Sequence, residues 1–374
     1  MILLRIKNLI IILFLIFAVN TSYATTKDPS PERVILFIID GLSPEAPARI
    51  DMLNFNALKT QGSYYKEMHL TLPGHPEKSN AYPWSCSMPN PMLMAGTPFI
   101  GKDEVRKSMI QHAFKDKETA FIVNARAYQD VSEGFGTYLS SSFNPDALVI
   151  NLSKEIMEVS DPKFMRVHLQ RSGIEGLRVS KNWTEDEPYH RNIWHKASPY
   201  RKAVTEADRQ LGRFVQYLKD KNKWENTVLI ICSDNGQADE GWHDPYSPKS
   251  SVTPLLIVGP GIKKDATFEY CEIIDIAPTI TNILNRKTPE LSIGRVLSEA
   301  FISNQGTTPI VPENIKRLNK VLIEAHNLSE EKKALLTKYG FITIDDLGQW
   351  HTTPAGDNFN HFVIQQEKIL EQVQ

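Results

Sequence analysis

Short apolar runs recur along this chain at 34–39 (VILFII), 119–123 (TAFIV), 147–152 (ALVINL), 164–169 (FMRVHL), 227–232 (TVLIIC) and 254–258 (PLLIV). Runs of this length with few polar breaks predict strands covered on both faces. Between them lie stretches of helical period. The clearest is 199–220, where Val204, Leu211, Val215 and Leu218 share one face and Pro199 suits a first helical turn. The segment 275–285 (DIAPTITNILN) predicts a second helix. Strands alternating with helices predict an α/β fold, an α/β/α sandwich around a mostly parallel central sheet. Residues 307–374 are richer in Lys, Glu and Asn, with pieces such as LSEEKKALLTKYG, and predict a helical appendage on the same domain.

Composition adds little to that picture and removes some function classes. The 374 residues are 41% hydrophobic and 23% charged, near the average of soluble globular domains. The formal net charge is −2 and no long basic patch is visible, which argues against a nucleic-acid partner. Residues 1–24 stand apart. Arg5 and Lys7 precede an apolar core at 9–19, and Ser22-Tyr23-Ala24 offers a small-x-small cleavage site. That is the layout of a secretory signal peptide, and the core is short of the ~20 residues of a membrane span. The expectation is a secreted or periplasmic protein with no stable span after cleavage, an uncleaved anchor being the alternative. The body then runs from 25 to 306. Of the three cysteines, Cys232 lies in a strand run as a small core residue, and a Cys86–Cys271 bridge stays open.

Two of the apolar runs end in oxygen-bearing side chains. The first ends at Asp40, before Gly41; the run 227–232 is followed by Ser233, Asp234, Asn235 and Gly236. Each could be no more than a turn at a strand end. Yet open α/β sheets place ligands at the carboxyl ends of their strands. Three oxygen ligands from two distant segments suggest one divalent cation.

The order of features carries a resemblance. A strand ends in Asp-Gly at 40–41. The segment CSMPNPMLMAGTPF follows at 86–99, then EADRQLG in a helix, SDNG after a strand, PLLIVGPGI, and IIDIAPTITNIL. The chain resembles the alkaline phosphatase superfamily on its sulfatase and type I phosphodiesterase side, over roughly residues 33–300. The resemblance implies an alkaline phosphatase-like α/β/α sandwich with a metal-assisted covalent nucleophile at the sheet edge. It makes Asp40, Asp234 and Asn235 metal ligands and Ser87 both nucleophile and ligand. Ser-Met-Pro-Asn at 87–90 resembles the Thr-x-Pro-Asn of nucleotide pyrophosphatase-like phosphodiesterases, which places Asn90 on the substrate side. A hydroxyl there would precede a helix start, where an anionic ester also binds. Placed from Gly96 without a gap, Cys86 takes the nucleophile position instead, and a capping serine is the plain alternative for Ser87.

Several departures from the family pattern narrow the reading. Gly41 stands where sulfatases carry a second Asp. The sulfatase signature has Arg four residues after its nucleophile; that position is Pro91 from Ser87 and Asn90 from Cys86. Asn235 in place of His makes the set all-oxygen, favouring Ca²⁺ or Mg²⁺ over Zn²⁺. In two-metal members an Asp-x-x-Gly-His element follows a central strand. Here Gln170 and Ile174 replace its Asp and His, so one metal is expected, with Asp186 and His190 as the rival pair. His243 resembles a family histidine and is the expected catalytic partner of Ser87. His168 and Lys249 are further substrate-side residues, each with an ordinary structural alternative. His351 and Thr71 are weaker candidates. The expected function is metal-dependent hydrolysis of a small-molecule phosphate ester, by a phosphodiesterase or phosphatase. The alternatives are a sulfatase-like sulfuric ester hydrolase and a non-catalytic metal-binding relative.

Overall fold

The structure is a computed structural model, and it describes residues 31–70, 89–96, 108–126, 128–142, 144–242, 248–292, 294–304, 342–344 and 350–352. Eight strands form the central sheet: β1 (Arg33–Ile39), β2 (Gly62–His69), β3 (Thr119–Val123), β4 (Thr137–Ser140), β5 (Phe164–Leu169), β6 (Thr227–Cys232), β7 (Val252–Val258) and β8 (Ala266–Glu272). Their order is β4-β3-β5-β1-β6-β7-β2-β8. Every pairing is parallel except those of β7, which runs antiparallel to both neighbours. The apolar runs at 34–39, 119–123, 164–169 and 227–232 become strands buried along their whole length. This is what a sheet covered on both faces requires.

Helices cover the two faces. In chain order they are α1 (Ala46–Arg49), α2 (Leu53–Lys59), α3 (Pro89–Ala95), α4 (Asp146–Val159), α5 (Arg171–Val179), α6 (Pro199–Asp220) and α7 (Ile276–Ile283). One core layer packs α3 and α7 against Leu36, Ile38, Ile230 and Cys232. The other packs α2, α4 and α6 against Ile35, Phe37, Ile39 and Ile231. Successive strand residues therefore serve opposite layers, and the molecule is the α/β/α sandwich expected. On α6, Val204, Ala207, Leu211, Phe214, Val215 and Leu218 make one buried stripe, and Pro199 opens the helix.

The run 147–152 was expected as a strand and belongs to helix α4 instead. Val149, Ile150, Ser153 and Met157 are buried while Asn151, Glu155 and Glu158 are exposed, a helical face that shows only once the window extends past residue 152. Strands β2, β4 and β8 carry no comparable apolar run. Both β4 and β8 are edge strands, and β8 alternates partly buried and exposed positions. In the C-terminal region, where helices were expected, Ile342–Ile344 and Trp350–Thr352 pair as antiparallel strands and His351 lies in the second. The segment LSEEKKALLTKYG and residues 1–24 lie outside the described residues. No helix among the described residues is long and apolar enough to cross a membrane.

Candidate metal centre

The register of the three central strands builds the centre. Ile38 of β1 pairs with His168 of β5 on one side and Cys232 of β6 on the other. Two residues further along each chain stand Gln170, Asp40 and Asp234, and the period of two turns all three toward the layer that holds α3. Arg166 and His168 lie on the same face of β5. Two distant carboxylates thus meet at the carboxyl edge of the sheet, where β1 lies between β5 and β6.

The carboxylates are almost wholly buried and share a ring of donors. Asp40 Oδ2 accepts from the Tyr128 hydroxyl at 2.9 Å and from the Gln170 side-chain amide. Asp234 Oδ2 accepts from Asn90 Nδ2 at 2.7 Å. Asn235 Nδ2 reaches Asp234 Oδ1 at 3.1 Å and Asp40 Oδ1 at 3.5 Å. His168 Nε2 stands 3.4 Å from Asp40 Oδ2 and 3.8 Å from Asp234 Oδ2. Among the described residues, Asp40, His168 and Asp234 form the cluster of three whose ligand atoms lie within 4.8 Å of one another.

Burial dominates the electrostatics. It pushes the Asp40 carboxyl up to about 6, against the hydrogen bonds from Tyr128, Asn235 and Gln170. Asp234 is raised by the same burial and by the charge of Asp40 beside it. His168 is driven down to about 3, chiefly by burial, with the Asp234 charge opposing and the Arg166 charge assisting. Two neighbouring carboxylates held out of water are unfavourable as a bare pair. Asn235 Oδ1 is buried with no hydrogen-bond partner among the described residues. Asn235 turns its Nδ2 toward both carboxylates, and with the amide turned over the same side chain would offer them its oxygen. Two crowded carboxylates with such a neighbour fit a hard divalent cation, for which oxygen ligands are preferred.

Second contacts fix the ring. Gln170 is held through its backbone N–H, which donates to Asn124 Oδ1 at 2.9 Å, and Asn124 Nδ2 donates to Asp146 Oδ1 at 2.8 Å. Helix α5 then starts against Asp40. Gly173 has its Cα against that carboxylate, and a Cβ there would overlap Asp40 Oδ1. The Ser172 hydroxyl donates to the Asp40 carbonyl.

The sequence candidates fall into three groups. Asp40, Asp234, Asn235, Asn90 and His168 come together. Asn90 does so with both ends of its amide engaged, Nδ2 on Asp234 and Oδ1 accepting from Arg166. Lys249 lies to one side, its ammonium on Glu45 at 2.7 Å and on Asp239 at 2.8 Å. Burial works against that charge, but the two carboxylates outweigh it and raise the lysine. Asp186 is exposed and His190 hydrogen-bonds Thr184, so neither joins the cluster. Ser87, Cys86, His243 and Thr71 lie outside the described residues. Cys232 and Cys271 are buried free thiols. Sequence reading missed Tyr128 and Arg166. Tyr128 sits in a loop after β3 with no motif around it. Arg166 is the polar break in the apolar run FMRVHL, and that break was its signal.

The fold and this edge-of-sheet centre together define an alkaline phosphatase-like protein. A model of the sulfatase family matches residues 97–285, just over half of the chain, and the chain belongs to that family, within the alkaline phosphatase superfamily. It is 34% identical over 101 residues to the multifunctional alkaline phosphatase superfamily protein PehA of Trinickia caryophylli, covering 25% of this chain and 20% of that protein. It is 30% identical over 118 residues to an arylsulfatase of Clostridium perfringens, covering 29% of this chain and 24% of that one. The matched segments thus span a quarter or less of these curated relatives. The phosphonate monoester hydrolase SpPMH from Silicibacter pomeroyi shares the fold with a TM-score of 0.53 at 16% identity, over 75% of this chain and 78% of that one.

Proposed function

We propose that this protein is an exported, metal-dependent hydrolase of phosphate esters, a phosphodiesterase or phosphatase. The observation that carries the reading is the buried Asp40–Asp234 pair with the Asn235 side-chain amide against both carboxylates. These three side chains would hold one divalent cation, Ca²⁺ or Mg²⁺ by the chemistry of an all-oxygen set. Such a cation supplies Lewis-acid polarisation of an ester oxygen and lowers the pKa of a nearby hydroxyl.

The chain's own groups divide the remaining work. Ser87 is three residues before Asn90, so an extended chain keeps it within about 10 Å of Asn90, which is bonded to Asp234. Its hydroxyl is the nucleophile, and His243 hands a proton to the leaving group. Tyr128, Gln170 and Asn90 hold the two carboxylates in place and leave them little freedom to turn away. Phosphate is favoured over sulfate because Pro91 or Asn90 stands where a sulfatase signature has arginine, and Asn90 is spent on Asp234 and Arg166. Residues 1–24 direct export, and the mature chain then begins at Thr25; intact mass of the protein from its native host reads that start directly.

The test of function is a panel of nitrophenyl phosphate monoesters, phosphodiesters and sulfate esters, each with Ca²⁺, Mg²⁺, Mn²⁺ and Zn²⁺. The expected result is turnover of a phosphate ester, lost by several kcal/mol of barrier in Ser87→Ala while the fold is kept. Turnover of sulfate esters alone makes the protein a sulfatase. Turnover of nothing, with a cation bound, makes it a binding protein. Activity that survives Ser87→Ala and dies in Cys86→Ala moves the nucleophile to Cys86.

A further inference from the structure

Arg166 is wholly buried on β5 and makes no ion pair with a carboxylate among the described residues. Its guanidinium lies 4.5 Å from the Phe121 ring centroid and 5.6 Å from that of Tyr128. One nitrogen, Nη2, serves two acceptors: the Asn90 carbonyl oxygen and His168 Nδ1, the latter at 3.0 Å. A guanidinium carries only donors and stays protonated in proteins. The ring nitrogen that faces it must therefore present a lone pair, and a neutral imidazole with a bare Nδ1 carries its proton on Nε2. Asp40 Oδ2 and Asp234 Oδ2 lie 3.4 and 3.8 Å from that nitrogen, which makes no hydrogen bond among the described residues.

We infer that Arg166 fixes His168 in the Nε2–H form, so that His168 faces the two carboxylates without entering the metal's coordination sphere. A histidine that ligates through one nitrogen donates from the other, to a carboxylate or carbonyl. His168 has the opposite arrangement: a donor stands behind it and acceptors stand in front. Arg166 fixes the Asn90 amide by the same logic, turning its oxygen inward and its Nδ2 toward Asp234. One buried cation thus orients two side chains at the carboxylate pair: Asn90, which donates to Asp234, and His168, which faces both carboxylates without a hydrogen bond among the described residues. The cation site is left to oxygens alone, although His168 stands close enough to be mistaken for a ligand. This inference rests on the reading of Asp40, Asp234 and Asn235 as cation ligands.

The experiment is nitrogen NMR on the full chain labelled at histidine, with and without Mg²⁺, His168 being assigned by its missing signals in His168→Gln. The expected spectrum shows a protonated Nε2 and a bare Nδ1, unchanged when Mg²⁺ is added. A proton on Nδ1, or loss of the Nε2 proton on Mg²⁺ addition, overturns the inference. In the Mn²⁺-loaded protein, pulsed EPR should show no directly bound imidazole nitrogen that His168→Gln removes; finding one also overturns it. Arg166→Met should shift His168 toward the Nδ1–H form, an effect that loss of mere packing does not produce. Should that variant fail to fold, the wild-type spectra decide. If no divalent cation binds at all, the proposed function falls, while the tautomer in the cation-free protein still decides whether Arg166 sets it.

Discussion

Asp40, Asp146 and Asp275 are each pushed up to about 6, in every case chiefly by burial. A carboxyl whose pKa is raised by folding binds more protons in the native state than in the unfolded chain. Stability from such groups is therefore present at low pH and falls as pH rises from about 4 through 6, then levels off. Asp146 isolates the effect. Its Oδ1 accepts from Asn124 and from the Arg171 backbone, whereas its Oδ2 has no hydrogen-bond partner among the described residues. Asp146→Asn keeps the acceptor and removes the buried charge. Urea unfolding between pH 4 and 7 should show a flatter profile in the variant, by up to about 3 kcal/mol for a shift of about two units. An unchanged slope would mean that Asp146 is not the neutral acid at low pH. Asp40 makes a second prediction of opposite use. Protons compete with a cation for its carboxylate, so cation affinity should fall as pH drops below about 6, by as much as about tenfold per unit. Calorimetric titration at pH 5, 6 and 7 checks it.

At the scale of elements, the start of helix α5 is the closest-fitting part of the centre. Gly173 lets the helix lie against the Asp40 carboxylate, and Gly176 makes the same kind of approach to the buried Gln237. Gly173→Ala should move α5 or Asp40, lower the melting temperature and weaken cation binding at least tenfold. The control Lys221→Ala, at an exposed position, should leave both within error. The elements also show what the sequence made legible. The buried parallel strands and α6 were readable because each has one period over its whole length. Asp40, Asp234 and Asn235 were readable because each follows such a strand. The run 147–152 misled because six residues do not distinguish a buried strand from one face of a helix, and α4 declares itself only at Ser153 and Met157. Tyr128 was not legible, since its role depends on a loop path that brings its hydroxyl across β5 to Asp40. His168 was legible as an inward strand histidine, but its tautomer depends on Arg166 and Asn90 meeting in space.

For the whole molecule, the two faces of the sheet have different tasks. The layer of α2, α4 and α6 is apolar and continuous beneath Phe37, Phe214 and Ile231. The layer of α3 and α7 accommodates Arg166, His168, Asp40 and Asp234 at its upper edge, where desolvated charge opposes folding. A cation bound by the native state alone offsets that opposition by mass action, so Mg²⁺ or Ca²⁺ at a hundredfold excess over Kd should add about 2.7 kcal/mol of stability and raise Tm by several degrees. That Asp40, Asp234 and Asn235 form one divalent-cation site is tested most directly by calorimetric titration of the metal-free protein beside Asp234→Ala, with elemental analysis for stoichiometry. The expected result is one equivalent of Ca²⁺ or Mg²⁺ per chain in the wild type and none in the variant. Two equivalents of zinc, or full binding in Asp234→Ala, would contradict it.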